Sequence, residues 1–154
     1  MFISCGILFN HESSLRSEKF VSRKISREVA RIATGKKEKM VLGSLTPRRD
    51  WGFAGDYVEA MWLMLQRESP ENYIIATGKT HSVFDFAVTA LRAAGLTEDP
   101  MSYIVTDPAL VRPLEIETSW GDATKAHAEM GWKPKISFEK LVGMMVEHDI
   151  KLES

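Results

Sequence analysis

Cysteine is almost missing from this sequence of 154 residues: Cys5 stands alone, which excludes an internal disulfide and a zinc site built on a cysteine cluster. A reducing, cytoplasmic setting is the corresponding expectation. No apolar run reaches the roughly 18–20 residues of a membrane-spanning helix. The opening run, Met1 to Phe9, lacks the length and the positive leading charge of a secretory signal, and reads instead as an apolar strand over Phe2 to Phe9. The ten glycines form no G-x-G-x-x-G and no phosphate-cradling G-x-x-x-x-G-K. Tyr57, Tyr73 and Tyr103 each lack a lysine four residues on, so the Tyr/Lys pair that makes a phenol a general acid and base is missing. His11, His81, His127 and His148 have no metal-ligand spacing, and no G-x-S-x-G elbow is found. The sequence therefore offers no catalytic and no metal-binding residue of its own.

What is present is the composition of one ordinary globular domain, 44% apolar and 27% charged, with no repeat or linker to divide it. The formal charge of −1 conceals a strong asymmetry. Between Arg16 and Arg49 there are eleven Lys and Arg against three Glu, a surplus of eight that the rest of the chain offsets with acid. A cationic third of this kind points to an anionic partner: nucleic acid, nucleotide phosphate or an acidic protein surface.

Phe20, Val21, Ile25, Val29 and Ile32 recur at helical spacing from about residue 18 to 34, with Gly35 as the stop and Arg23, Lys24, Arg27 and Arg31 on the polar side. Met40 to Leu45 reads as a strand and Pro47 to Trp51 as an irregular loop. A helix over 55–67 is apolar nearly all round and is expected to be deeply buried. Tyr73 to Thr77 is a strand. Ser82 and Asp85 form a capping box for a helix reaching Gly95. Met101 to Val105 is a further strand, Asp122 caps a short helix ending at Gly131, and Ser137 caps a last helix to about Asp149. About four strands and five helices make an α/β fold, without the run of βαβ units that a complete doubly wound domain needs.

Four clusters carry polar groups at strand ends or in loops, where α/β proteins place ligands: Asn10 to Ser13, Val21 to Lys24, Arg48 to Gly52, and Arg112 to Glu115. Arginine forks suit phosphate oxygens, and a carboxylate such as Glu115 suits hydroxyl or base donors. Three of these clusters also have a plain reading: a solvated basic helix face, an ion pair of Asp50 with its neighbouring arginines, a hydrogen-bonded structural His11.

Together the runs Gly6-Ile-Leu-Phe-Asn-His-Glu-Ser13, Phe20-Val-Ser-Arg-Lys-Ile25, Leu42-Gly-Ser-Leu-Thr-Pro-Arg-Arg-Asp-Trp-Gly52, Asp56-Tyr-Val-Glu-Ala-Met-Trp-Leu-Met-Leu65, Tyr73-Ile-Ile-Ala-Thr-Gly-Lys-Thr-His-Ser-Val83 and Gly131-Trp-Lys-Pro134 resemble the GDP-mannose 4,6-dehydratase family of extended short-chain dehydrogenases/reductases. The resemblance implies the C-terminal, substrate-binding part of that fold without the main Rossmann nucleotide-binding domain: residues 1–12 a remnant strand of the latter, 13–154 mainly the sugar-nucleotide-binding domain. It implies contacts to the GDP part of GDP-mannose from Asn10, Val21, Lys24, Arg49, Arg112 and Glu115, and to NADP from His11 and Arg16. Two departures stand out. The family's Ser-Pro-Arg-Arg-Gly is Ser13-Ser-Leu-Arg-Ser17 here, and its Gly-Asp-Pro-Ser-Lys is Gly121-Asp-Ala-Thr-Lys125.

The family reaction oxidises C4 of the sugar, eliminates water across C5 and C6 and returns the hydride to C6, with NADP as the internal shuttle. Lacking the Tyr/Lys pair, this chain alone is expected to be inactive, and a separate N-terminal Rossmann chain is an implied partner. The alternatives are a non-catalytic nucleotide-sugar or partner-binding module and a part of another NDP-sugar dehydratase, epimerase or reductase; nucleic-acid binding rests on the basic segment alone and lacks a helix-turn-helix spacing, an RNP-like aromatic strand or a zinc site, so no nucleic-acid partner is expected. The exposed N-terminal strand favours self-association. No membrane partner is expected.

Overall fold

Ile25, Val29 and Ile32 are all buried, and this single apolar stripe seats the first helix, α1 (Val21–Ala33), against the rest of the chain. The computed structural model describes residues 1–111 and 114–154. The strands are β1 (Gly6–Leu8), β2 (Asn10–Glu12), β3 (Met40–Leu42), β4 (Arg48–Arg49), β5 (Trp51–Phe53), β6 (Tyr73–Ile75), β7 (His81–Ser82), β8 (Ile104–Thr106) and β9 (Thr118–Ser119). The remaining helices are α2 (Ala54–Met64), α3 (Val83–Ala93), α4 (Pro100–Tyr103), α5 (Thr124–Met130) and α6 (Phe138–Glu153), with a 3-10 turn over Pro108–Leu110.

Pairing is mostly parallel. β1 runs beside β6, β2 beside β5, and β3 beside β8, while β4 lies between an antiparallel β7 and a parallel β9. Two hydrophobic clusters result. The larger joins α1, α3 and α6 around Trp51, whose ring meets Phe86 edge-on at 5.1 Å and stacks on Phe138 at 6.1 Å. The smaller joins Leu8, Tyr57, Ala60, Met64, Tyr73, Ile75 and Trp132 beneath α2 and α5.

Local signals hold where the chain dictates its own ends. Ser82 accepts from the Asp85 N–H while Asp85 accepts from the Ser82 N–H, completing the capping box of α3. Gly35 and Gly131 adopt left-handed backbone after α1 and α5, and Ser137 caps α6, which runs past Asp149 to Glu153.

Several expectations need correction. The strand expected over Phe2 to Phe9 is confined to Gly6–Leu8 before the chain continues as β2. The expected loop at Pro47 to Trp51 holds β4 and the start of β5, because Arg48 and Arg49 find partners in Thr118, Ser119, His81 and Ser82, distant in sequence. Met101 to Tyr103 are helical, since Asp99 accepts from the Met101 N–H and Pro100 occupies the first helical position. Asp122 accepts from the Thr124 N–H but lies one residue before the α5 cap, Ala123. Finally, α2 buries Tyr57, Ala60 and Met64 but leaves Val58, Met61 and Trp62 exposed, so it is not buried all round.

Candidate functional site

The start of β2, the C-terminal end of β3 and the N-terminus of α1 converge on a cleft of about 350 Å³. Asn10, Val21, Lys24, Arg49 and Glu115 all line it, so five of the six residues implied to contact substrate come together. The sixth, Arg112, lies outside the described residues. Lys19, Phe20, Leu42, Gly43, Ser44, Pro47, Val83 and Leu110 complete the wall. Of these, Gly43, Ser44 and Pro47 carry a signal in the sequence, since they follow β3, the position where α/β folds place ligands. Gly43 is required there: a Cβ would stand 2.7 Å from the Leu110 carbonyl oxygen.

The α1 N-terminus enters the cleft without a capping side chain and without an acidic residue in its first turn. Its free N–H groups and the positive end of the helix dipole therefore face the same space as Lys24, an arrangement suited to an anion. Among the described residues, Lys19 and Lys24 take part in no ion pair, so their charges remain available to a ligand.

Arg49 is held in place before any ligand arrives. Its guanidinium donates to the carbonyls of Ile116 at 2.6 Å and Arg48 at 2.8 Å and to the Glu115 carboxylate at 2.8 Å. The remaining N–H bonds of the fork are left for another acceptor. Arg48 turns elsewhere, donating to the Thr80 carbonyl at 2.8 Å. Asp50 is fully buried and pairs with neither arginine. Its carboxylate instead accepts from the N–H groups of Thr77 (2.8 Å), Gly78 (2.9 Å) and Gly121 (3.4 Å) and from the Thr77 hydroxyl (2.7 Å), tying the end of β6 to the start of β5. The ion-pair reading of Asp50 is thereby replaced by a clasp on backbone donors.

His11 and Arg16 lie outside the cleft lining. The His11 Nδ1–H donates to the Phe9 carbonyl at 2.9 Å, which leaves Nε2 as an acceptor, and the ring stacks on Tyr57 at 5.4 Å. Tyr57 approaches so closely that a Cβ on residue 52 would stand 2.5 Å from its ring, which explains Gly52. Burial, together with Asp50, Asp56 and Glu12, pushes the Tyr57 phenol well above its ordinary range. Arg16 lies 3.5 Å over the Phe20 ring and 3.3 Å from Glu12, whose own carboxyl is pushed up by burial.

The basic face of α1 is largely neutralised inside the molecule. Arg23 is buried against Asp149 at 2.8 Å, Arg27 and Arg31 both reach Glu153, and Lys36 and Lys37 pair with Glu153 and Glu28. The expectation of a solvated basic face offered to an external anion is corrected accordingly; Lys24 is the cation of that face that reaches the cleft.

Solved structures share this architecture at low sequence identity. RMD from Pseudomonas aeruginosa, solved with NADPH, has a TM-score of 0.85 at 20% identity over 96% of this chain and 48% of its own. The dTDP-glucose 4,6-dehydratase of Bacillus anthracis, solved with NAD, has a TM-score of 0.76 at 21% identity over 96% of this chain and 44% of its own. At such identities the likeness establishes the α/β fold alone.

Sequence narrows it further: the family model for GDP-mannose 4,6 dehydratase matches residues 1–145, and the chain belongs to that family. GDP-mannose 4,6 dehydratase 2 of Arabidopsis thaliana is 50% identical over 99% of this chain and 40% of its own length. The human GDP-mannose 4,6 dehydratase is 44% identical over 99% of this chain and 45% of its own. The chain thus spans less than half the length of the curated relatives it matches.

Proposed function

We propose that this chain forms the GDP-sugar-binding portion of a GDP-mannose 4,6-dehydratase. The observation that carries the reading is the cleft itself, lined by the uncapped α1 N-terminus, Lys24, Asn10 and the paired Arg49 and Glu115. Lys24 and the helix N–H groups hold the diphosphate, and the free N–H bonds of Arg49 add to them. Glu115, already neutralised by Arg49, accepts from a hydroxyl or a base N–H without repelling the phosphates. Leu42, Pro47, Val83 and Leu110 provide the apolar wall for a flat ring. Arg112 is implied to join them, and residues 13–154 supply most of this domain, with 1–12 a strand of the nucleotide-binding domain.

NADP supplies a hydride acceptor and donor in this reading. The fit to this chain's own residues is partial: His11 presents a free Nε2 acceptor and Arg16 a guanidinium beside the Ser13–Ser17 loop, but the sequence contains no dinucleotide cradle. The cradle and the Tyr/Lys pair belong to a complementary Rossmann portion, so conversion of GDP-mannose to GDP-4-keto-6-deoxymannose and water requires that portion and the isolated chain is inactive. A cytoplasmic location accords with the lone, exposed Cys5 and with the absence, among the described residues, of any helix long and apolar enough to cross a membrane.

Isothermal titration of the purified chain with GDP tests the reading. Loss of one set of charge-assisted hydrogen bonds, about 1.5–3 kcal/mol, corresponds to roughly 10- to 100-fold weaker binding in Arg49→Ala and in Lys24→Ala. Absence of GDP binding, or equal affinity in wild type and both variants, rejects it.

A further inference from the structure

Lys19 lines the cleft but has no task in the contacts described so far. It stands immediately before Phe20, the cap residue of α1, in a segment that the backbone closes at both ends. The Phe20 N–H donates to the Ser17 carbonyl at 3.0 Å, and the Lys24 N–H donates to the Phe20 carbonyl at 2.9 Å. The Phe20 ring is anchored in turn by the Arg16 guanidinium, 3.5 Å above it. Lys19 and Lys24 thus bracket the first turn of α1 along the chain, and both line the cleft.

The sign of the cleft's charge rests on these two lysines. Among its described lining residues the charged side chains are Lys19, Lys24, Arg49 and Glu115, and Arg49 and Glu115 offset each other at 2.8 Å. Elsewhere the same segment is neutralised from within: of the eleven Lys and Arg between Arg16 and Arg49, eight reach a carboxylate of this chain. Lys39 does not, among the described residues, and it lies outside the cleft; the other two are Lys19 and Lys24. Two compact ammonium groups with uncapped helix N–H groups between them match two linked phosphates, one charge to each. Their flexible stems let each follow its own phosphate.

We propose that Lys19 is the second arm of a diphosphate clamp, gripping one phosphate while Lys24 and the helix N–H groups hold the other. The inference rests on the GDP-sugar reading of the cleft and deepens it, because it makes Lys19 a specificity-determining residue for two phosphates over one. A nucleoside monophosphate has a single phosphate to offer, and Lys24 with the helix N–H groups is the stronger of the two positions. Lys19 then stays idle.

Calorimetric titration of the purified chain with GDP and with GMP reads the outcome. In Lys19→Gln, GDP binding is expected to weaken about tenfold, the worth of one nearby charge, and GMP binding by less than about threefold. Lys19→Arg keeps the charge and returns GDP affinity to within about threefold of wild type. The Lys19→Gln deficit shrinks as salt rises from about 0.05 to 0.5 M, since a charge contribution is screened and a packing defect is not. Unchanged GDP affinity in Lys19→Gln, an equal loss on GDP and GMP, a loss that Lys19→Arg does not rescue, or a deficit indifferent to salt each overturns the clamp. Arg49→Ala and Lys24→Ala report the GDP reading separately. Losses in those two beside an indifferent Lys19→Gln remove the clamp and leave that reading standing. Inorganic pyrophosphate bound with the same Lys19 dependence, by a chain that gives GDP no advantage over it, keeps the clamp and removes that reading. A chain that binds neither removes both.

Discussion

Around α1, α3 and α6 the charges find partners within the chain, Arg23 on Asp149 and Arg27, Arg31 and Lys36 on Glu153, and the apolar side chains are enclosed. Around β1 and α2 the inner side is packed as tightly, on Tyr57, Met64 and Trp132, yet the outer flank presents bare Val, Met, Trp and Leu. The two regions share a composition but not a boundary. In the first, the surface is finished by the chain's own polar groups. In the second, it has the character of a core cut open, which is how surfaces that associate differ from surfaces that are merely solvated.

Asp50 is where the two regions can be uncoupled, because its buried carboxylate joins the end of β6 to β5 and to Gly121. Asp50→Ala orphans three backbone N–H groups at once and leaves the Thr77 hydroxyl only the Lys79 carbonyl at 3.3 Å. The expected loss is about 3–5 kcal/mol, a large share of the roughly 5–15 kcal/mol available to a domain. Urea unfolding monitored by fluorescence and circular dichroism measures it. A loss under about 1 kcal/mol means the clasp is dispensable and the regions are held together by apolar packing alone.

How much of this was legible in the sequence follows the range of the interaction responsible. The capping box of α3 and the glycine stops are fixed within four residues, and the spacing of Ile25, Val29 and Ile32 identifies α1. The cleft residues Asn10, Val21, Lys24, Arg49 and Glu115 were identified through family resemblance; chain spacing does not bring residue 10 beside residue 115. The strands at Arg48–Arg49 and Trp51–Phe53 were not legible, since their partners lie up to 70 residues away. The basic stripe of α1 was read as open to solvent because nothing local shows that Asp149 and Glu153 return to cover it. The helix α2 was read as buried because an all-round apolar sequence does not distinguish a chain's own core from a surface that awaits another.

Acid titration sharpens the contrast from the enclosed side. Hydrogen bonds from Arg27, with Arg31 and Lys36 also contributing, draw the Glu153 carboxyl down from 4.5 to about 2 in the folded chain. A depressed folded pKa gives stability that is present above the unfolded value and lost as pH falls toward 2. Asp149 has the opposite sign: burial raises its pKa, so its ionisation opposes folding as pH rises above the ordinary aspartate range. Urea midpoints of wild type and Glu153→Gln therefore converge between pH 4.5 and 2. Parallel curves in that window show that Glu153 titrates as it does in the unfolded chain and that its ion pairs with Arg27, Arg31 and Lys36 contribute nothing measurable.

The smallest effect belongs to the open flank. Val58 is 61% exposed on α2, so in a single chain its side chain removes little apolar surface from water on folding. Val58→Thr preserves the shape and β-branching while making the surface more polar, and in a monomer it shifts stability by no more than about 0.5 kcal/mol. The measurement is urea unfolding at nanomolar protein, where association does not contribute. A loss above about 1 kcal/mol places Val58 in contact with the rest of its own chain, and the flank then ceases to differ from the enclosed side. A near-zero shift at low concentration combined with a clear loss at high concentration locates the burial of Val58 between chains, because only a contact formed on association makes the cost of the added hydroxyl depend on concentration.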